Sequence, residues 1–138
     1  TVPCIVVLPG GDLEKKIIRE KKIAEDIVKI YAAEITLAIE SLHKREIIFR
    51  DLKPANVVLD SEGHAKITDF GLAIKSKESK SFCGSIAYLA PEMLFKYDIY
   101  EPRKRHGFTL DWYLLGVLIY ELIEGMPPYY CLNKERLF

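Results

Sequence analysis

With 138 residues, 20 basic and 20 acidic side chains, the chain has the size of one domain and no net charge to draw it to nucleic acid or an anionic membrane. The longest apolar stretch, Trp112 to Ile123, contains Glu121 and falls short of the ~20 residues a membrane span needs, so it reads as a buried helix. Cys4, Cys83 and Cys131 are odd in number and form no CxxC pair, and His43, His64 and His106 lack zinc-ligand spacing. This pattern suggests reduced thiols in an intracellular, cytoplasmic protein rather than a disulfide framework.

The opening Thr1–Leu8 is apolar but short, without a basic leader or initiator Met, and does not read as a signal peptide. Ile5–Leu8 reads as the end of a buried strand and Pro9–Asp12 as the turn leaving it. A short helix is expected from Asp12 to Arg19, with Asp12 suited to its N-cap. A long helix is expected from Ala24 to His43. Its Ile27, Ile30, Tyr31, Ile35, Ala38 and Leu42 recur at helical spacing and predict one broad buried face. Glu25 and Asp26 in its first turn, with Lys44 and Arg45 after its end, suit the helix dipole.

Ile47–Phe49 and Val57–Leu59 are short apolar runs that read as strands, and between them lies the polar loop Arg50-Asp51-Leu52-Lys53-Pro54-Ala55-Asn56. Pro54 fixes its own φ and pushes Lys53 toward extended geometry, favouring one loop shape. Asp60–Gly63 is a turn signal, and Ala65–Thr68 alternates as an edge strand would. An antiparallel hairpin from Asn56 to Asp69 would set its two ends side by side, with Asp51 one short loop away. Three oxygen-bearing side chains converging in this way suit a hard cation such as Mg²⁺. Further on, Lys75–Ser85 is hydrophilic and without apolar periodicity, as a mobile loop would be. A short helix started by Pro91 is expected over Ala90–Lys96. Tyr97–His106 reads as an irregular connection whose Arg103-Lys104-Arg105 is a solvated face. A central buried helix, nearly all-round apolar at Trp112, Leu115, Leu118, Ile119 and Leu122, is expected over Asp111–Ile123.

Phe49-Arg50-Asp51-Leu52-Lys53-Pro54-Ala55-Asn56, Asp69-Phe70-Gly71 and Ala90-Pro91-Glu92 resemble, in order and spacing, the catalytic-loop, metal-binding and segment-closing motifs of eukaryotic protein kinases. Phe82-Cys83-Gly84, Asp111-Trp112 and Gly125–Tyr129 resemble the AGC group. The resemblance implies an α+β fold: a mainly helical large lobe whose small hairpin carries the catalytic and metal-binding loops, over residues 1–138. It implies a Ser/Thr protein kinase parent that transfers the γ-phosphate of ATP, with Mg²⁺, to a protein substrate. Asp51 would take or orient the substrate hydroxyl proton, and Lys53 would sit on the transferred phosphate. Asn56 and Asp69 would hold metal, and Val58 would floor the adenine. Asp12 falls where relatives contact ribose or a basic substrate residue, and this reading stands beside that of a helix cap.

By the same resemblance Arg50 would read a phosphate on Ser81, and Ser85 would help position the catalytic aspartate and substrate. Asp111 would hydrogen-bond the catalytic-loop backbone, and Phe49 and Phe70 would stack in the column linking the lobes. Ala55 departs from basophilic relatives, which often carry glutamate there, while Asp12 and Glu121 keep two acidic substrate-reading positions. The chain contains no Gly-rich loop, no strand lysine and no partner glutamate of the small lobe. Glu92 also lacks its arginine partner. The expectation is therefore a large-lobe fragment, inactive alone and prone to self-association. The alternative is a pseudokinase or scaffold that keeps the fold as a binding module.

Overall fold

The computed structural model describes residues 9–79, 86–91 and 106–129. The strand end expected at Ile5–Leu8, the residues Ser81, Cys83, Ser85, Glu92 and Arg103–Arg105, and the helix expected beyond Pro91 lie outside them. Among the described residues are three α-helices, α1 (Leu13–Glu20), α2 (Glu25–His43) and α3 (Thr109–Glu124), and six short strands. The strands are β1 (Ile47–Ile48), β2 (Val57–Leu59), β3 (Ala65–Ile67), β4 (Ile74–Lys75), β5 (Glu78–Ser79) and β6 (His106–Gly107). They pair antiparallel two by two, β1 with β4, β2 with β3 and β5 with β6.

Helix α1 begins where the Asp12 carboxylate accepts the backbone N–H of Lys15 at 2.8 Å, satisfying one of the orphan donors of the first turn. Its Leu13 and Ile17 are buried. The chain leaves α1 through Lys21, at φ 68°, and is pinned to the far end of α3 by the bond from Ile23 N to the Leu122 carbonyl at 2.9 Å. Gly125, which ends α3 at φ 84°, faces this turn. A Cβ there would lie 2.2 Å from the Lys21 carbonyl oxygen, so only glycine lets the two segments meet.

Helix α2 packs against α3 and the β2–β3 hairpin. Its buried residues are Val28, Tyr31, Ile35 and Ile39, whereas Ile27 and Ile30 are 36% and 52% exposed. The expected face is therefore rotated. The helix carries apolar residues on more than one side, and the positions of α3 and the hairpin decide which side is covered.

Helix α3 runs through the core with Leu110, Leu114, Leu115, Val117, Leu118 and Leu122 buried. It is not covered all round: Trp112 and Tyr120 are 38% and 47% exposed. The hydrophilic stretch after Gly71 is more ordered than its composition suggests. Phe70–Leu72 forms a 3₁₀ turn, Ile74–Lys75 pairs with β1, and Glu78–Ser79 pairs with His106–Gly107, at the end of the segment expected to be irregular. Backbone pairing to strands far along the chain orders these residues, and side-chain polarity does not report it.

Candidate active site

The polar loop after β1 is built around two buried apolar anchors, Phe49 and Leu52, with at most 1% exposure. Between them Arg50 adopts φ 70°, a left-handed backbone conformation that a non-glycine residue holds only under constraint from its surroundings. The constraint is Asp111, fully buried in the first turn of α3. Its Oδ1 accepts the N–H of Arg50 at 2.8 Å, and its Oδ2 accepts the N–H of Phe49 at 2.9 Å and bonds Nε2 of His43 at 2.8 Å. The His43 ring is boxed by Phe108 and Trp112, at centroid separations of 4.5 and 5.4 Å. The helix-start position of Asp111 and its contact with the loop backbone thus hold together.

Pinned in this way, the loop presents three polar side chains to one another. Lys53 Nζ lies 3.0 Å from Oδ2 and 3.2 Å from Oδ1 of Asp51. Asn56 Nδ2 donates to the same Oδ2 at 2.8 Å and to the Asp51 carbonyl at 2.7 Å. Pro54 starts the 3₁₀ turn that carries Asn56 back toward Asp51. Oδ2 of Asp51 is thereby fixed by two donors while the carboxylate stays part-exposed.

The hairpin follows at once, with Val57 opposite Ile67 and Leu59 opposite Ala65. The N–H of Thr68 donates to the Asn56 carbonyl at 2.9 Å, so the two ends of the hairpin meet. Asp69 comes next, at φ 63°, exposed, with Oδ1 accepting the N–H of Gly71 at 3.1 Å. It makes no hydrogen bond to Asp51, Lys53 or Asn56 among the described residues. There too, no group of three or more His, Cys, Asp or Glu side chains is placed to hold a metal ion. The Phe70 ring makes an edge-type contact with Phe49, at a centroid separation of 5.3 Å, and Phe70 is 51% exposed.

Asp12 and Val58 are brought together by an antiparallel bridge, flanked by the bonds from Leu59 N to the Gly11 carbonyl and from Gly10 N to the Leu59 carbonyl. Arg50 Nε donates to the Leu72 carbonyl at 2.7 Å and Nη1 to Oγ of buried Ser79 at 3.0 Å. The expected partner Ser81, like Ser85, lies outside the described residues. Glu121 accepts the hydroxyl of Tyr88 at 2.7 Å. Burial pushes its carboxyl up, against the effect of that hydrogen bond, and burial with Glu121 beside it pushes the Tyr88 hydroxyl well up.

Sequence reasoning missed three contributors: His43 behind Asp111, Ser79 under Arg50, and Glu34, which α2 points at the hairpin. Each meets its partner across at least 29 residues, and no local signal marks such a pair.

The family model described as protein kinase domain matches residues 4–137. Protein kinase 2 of Dictyostelium discoideum is 46% identical over 132 residues, covering 94% of this chain and 26% of that protein. The cAMP-dependent protein kinase catalytic subunit of the same organism is 46% identical over 123 residues, 88% of this chain and 18% of its own length. Serine/threonine-protein kinase sgk-1 of Caenorhabditis elegans is 42% identical over 135 residues, 95% of this chain and 28% of its own. The chain thus spans between a sixth and a third of the length of these relatives. No helix among the described residues is long and apolar enough to cross a membrane. Matched along nearly its whole length, the chain belongs to the protein kinase family, on its Ser/Thr, AGC-like side.

Proposed function

We propose that residues 1–138 are the large-lobe part of an ATP-dependent Ser/Thr protein kinase domain, from the hinge to the start of the helix after α3. The observation that carries this reading is the group in which Asp51 Oδ2 takes hydrogen bonds from Lys53 and Asn56, on a loop pinned from behind by Asp111. Phosphoryl transfer requires little covalent chemistry of the protein and much positioning, which such a group supplies.

In this reading Asp51 orients the substrate hydroxyl and accepts its proton, using a carboxylate already fixed by two donors. Lys53 places a positive charge beside that oxygen, where charge on the transferred phosphate develops. The donor chemistry also fits Mg²⁺. Asp69 is exposed with one carboxylate oxygen on Gly71 N, and Asn56, whose amide nitrogen is spent on Asp51, has its amide oxygen left to ligate. Asn56 and Asp69 would hold the ion, and Mg²⁺ bound there neutralises phosphate charge. Asp12 and Val58, joined by the bridge to the middle of β2, would border the nucleotide. Arg50, Ser81 and Ser85 would form the regulatory arm: a phosphate on Ser81 adds about −1.5 to −2 charge for Arg50 to pair.

The test uses the full-length protein that contains this chain. Asp51→Asn is expected to lower turnover by about a hundredfold or more while Mg²⁺·ATP still binds. Undiminished turnover in that variant overturns the reading, and a wild type that binds Mg²⁺·ATP without transferring phosphate identifies a pseudokinase. The 138-residue chain alone, lacking a Gly-rich loop and strand lysine, is expected to incorporate no more phosphate than its Asp51→Ala control. In the full-length enzyme, Ser81→Ala should lose more activity than Ser76→Ala or Ser79→Ala; full activity in Ser81→Ala, once the wild-type loop is shown to be phosphorylated, removes Ser81 from this role.

A further inference from the structure

Glu34 sits midway along α2, on the side that meets the β2–β3 hairpin. One of its oxygens, Oε2, accepts the backbone N–H of Ala65 at 2.7 Å, and the other, Oε1, bonds Nδ1 of His64. A helix carboxylate thus serves as hydrogen-bond partner to the first residue of β3, a strand that pairs, among the described residues, with β2 alone. Two strands of three residues each have little stability of their own, so the tilt of the hairpin depends on what it is fastened to. Its two ends carry Asn56 and, one residue past Thr68, Asp69.

We propose that Glu34 and His64 form a clamp between α2 and the hairpin, acting as positioning residues that set Asn56 and Asp69 for Mg²⁺·ATP. The proposal rests on the kinase reading above. It concerns two residues that touch neither nucleotide nor metal, and their effect runs through the hairpin.

The charged groups facing His64 come from three elements. Glu34 comes from α2. From the turn come Glu62, whose Oε2 is 3.7 Å from Nε2, and Asp60, whose Oδ1 accepts the His64 backbone N–H at 3.0 Å. Lys66 of β3 is engaged with Asp60 at 2.9 Å. The hydrogen bond and charge of Glu34 hold the imidazole above the ordinary histidine range. A group whose pKa is raised by the clamp strengthens it in acid, and that contribution is lost as pH rises through the raised pKa. The His64 side chain is 54% exposed, so water screens part of this hold, whereas the bond to Ala65 persists at every pH where Glu34 is ionised.

The experiment measures the dissociation constant of Mg²⁺·ATP by calorimetry on the full-length protein, at about pH 5.5 and about pH 8, on either side of the usual histidine range. Glu34→Ala is expected to weaken binding by about tenfold, the effect of one charge-assisted hydrogen bond, and Glu34→Gln, which keeps an acceptor for Ala65, by less. His64→Gln should match wild type at the higher pH and lose the extra affinity at the lower one. The nucleotide's own titration cancels in that comparison. Lys29→Gln, which breaks an exposed pair with Glu25 on the same helix, should change nothing. Amide exchange should quicken at Ala65 and not in α3 when Glu34 is replaced. If Glu34→Ala and His64→Gln both bind as wild type at both pH values, the clamp is refuted. Quickened exchange in α3 as well as at Ala65 refutes it too, since Glu34 then supports the whole fold. A wild type that binds no Mg²⁺·ATP sinks the kinase reading, and this proposal with it.

Discussion

The loop around Asp51 and the motif around Asp69 stand within one hairpin of each other and are held in opposite ways. Asp51 belongs to a loop anchored by Phe49 and Leu52, both buried, and by the Asp111 carboxylate, which bonds the N–H groups of Phe49 and Arg50 from α3. Asp69 is exposed, and among the described residues its carboxylate has the N–H of Gly71 as its hydrogen-bond partner. Both segments use a left-handed backbone residue, Arg50 and Asp69, yet only the first is fixed by a fully buried side chain. In the proposed kinase reading, the difference would separate two tasks. A group that orients a reacting hydroxyl must be rigid within fractions of an ångström. A group that meets a metal ion arriving with nucleotide can adjust as it binds.

Substitutions can break this contrast or sharpen it. The largest effect is expected for Asp111→Ala, which leaves the N–H groups of Phe49 and Arg50 and the ring of His43 without their acceptor in a buried place. The cost should be about 3–5 kcal/mol of unfolding free energy in denaturant titration. A loss under about 1 kcal/mol would show that the loop is held by its apolar anchors instead. Asn56→Ala removes two hydrogen bonds to Asp51 from a residue that is 5% exposed, and about 1–3 kcal/mol should go with them. Phe70→Ala forfeits an edge-on contact with Phe49 from a half-exposed ring, and about 0.5–1.5 kcal/mol is expected. Asp69→Asn, at the exposed end of the comparison, should leave stability within about 0.5 kcal/mol of wild type. A large loss there would erase the distinction between the two segments.

The smallest effect concerns the hairpin turn. Asp60 is held at about 2 by the hydrogen bond from Lys66 and then by the backbone N–H of His64, against a lesser effect of burial. A lowered carboxyl pKa stabilises the folded turn above the ordinary carboxyl range, and that contribution is lost as pH falls toward about 2. Lys66→Ala should move the Asp60 titration, followed by NMR, back toward 3.8. An unmoved midpoint would credit the backbone N–H groups alone.

The residue string itself carried what depends on neighbours along the chain. Asp12 before Leu13 specifies a capped helix, Pro54 a tight turn, and Asp60–Gly63 between short apolar runs a hairpin, because each rests on backbone preferences and hydrogen bonds closing within a few residues. The order of Asp51, Lys53, Asn56 and Asp69 carried the family resemblance, on which the proposed chemistry rests, for the same reason: three of the four lie within one loop. Tertiary structure decided what needs a partner from afar. It buried Val28 and Ile39 on α2 and left Ile27 and Ile30 in water, since an apolar stripe does not know where α3 lies. It drew Glu78–Ser79 out of a hydrophilic run into a strand, because the partner strand is His106–Gly107. It made Asp111 the fastening of the Asp51 loop 62 positions away, because a carboxylate buried from water is stable only where donors converge on it, and only the folded chain brings them there.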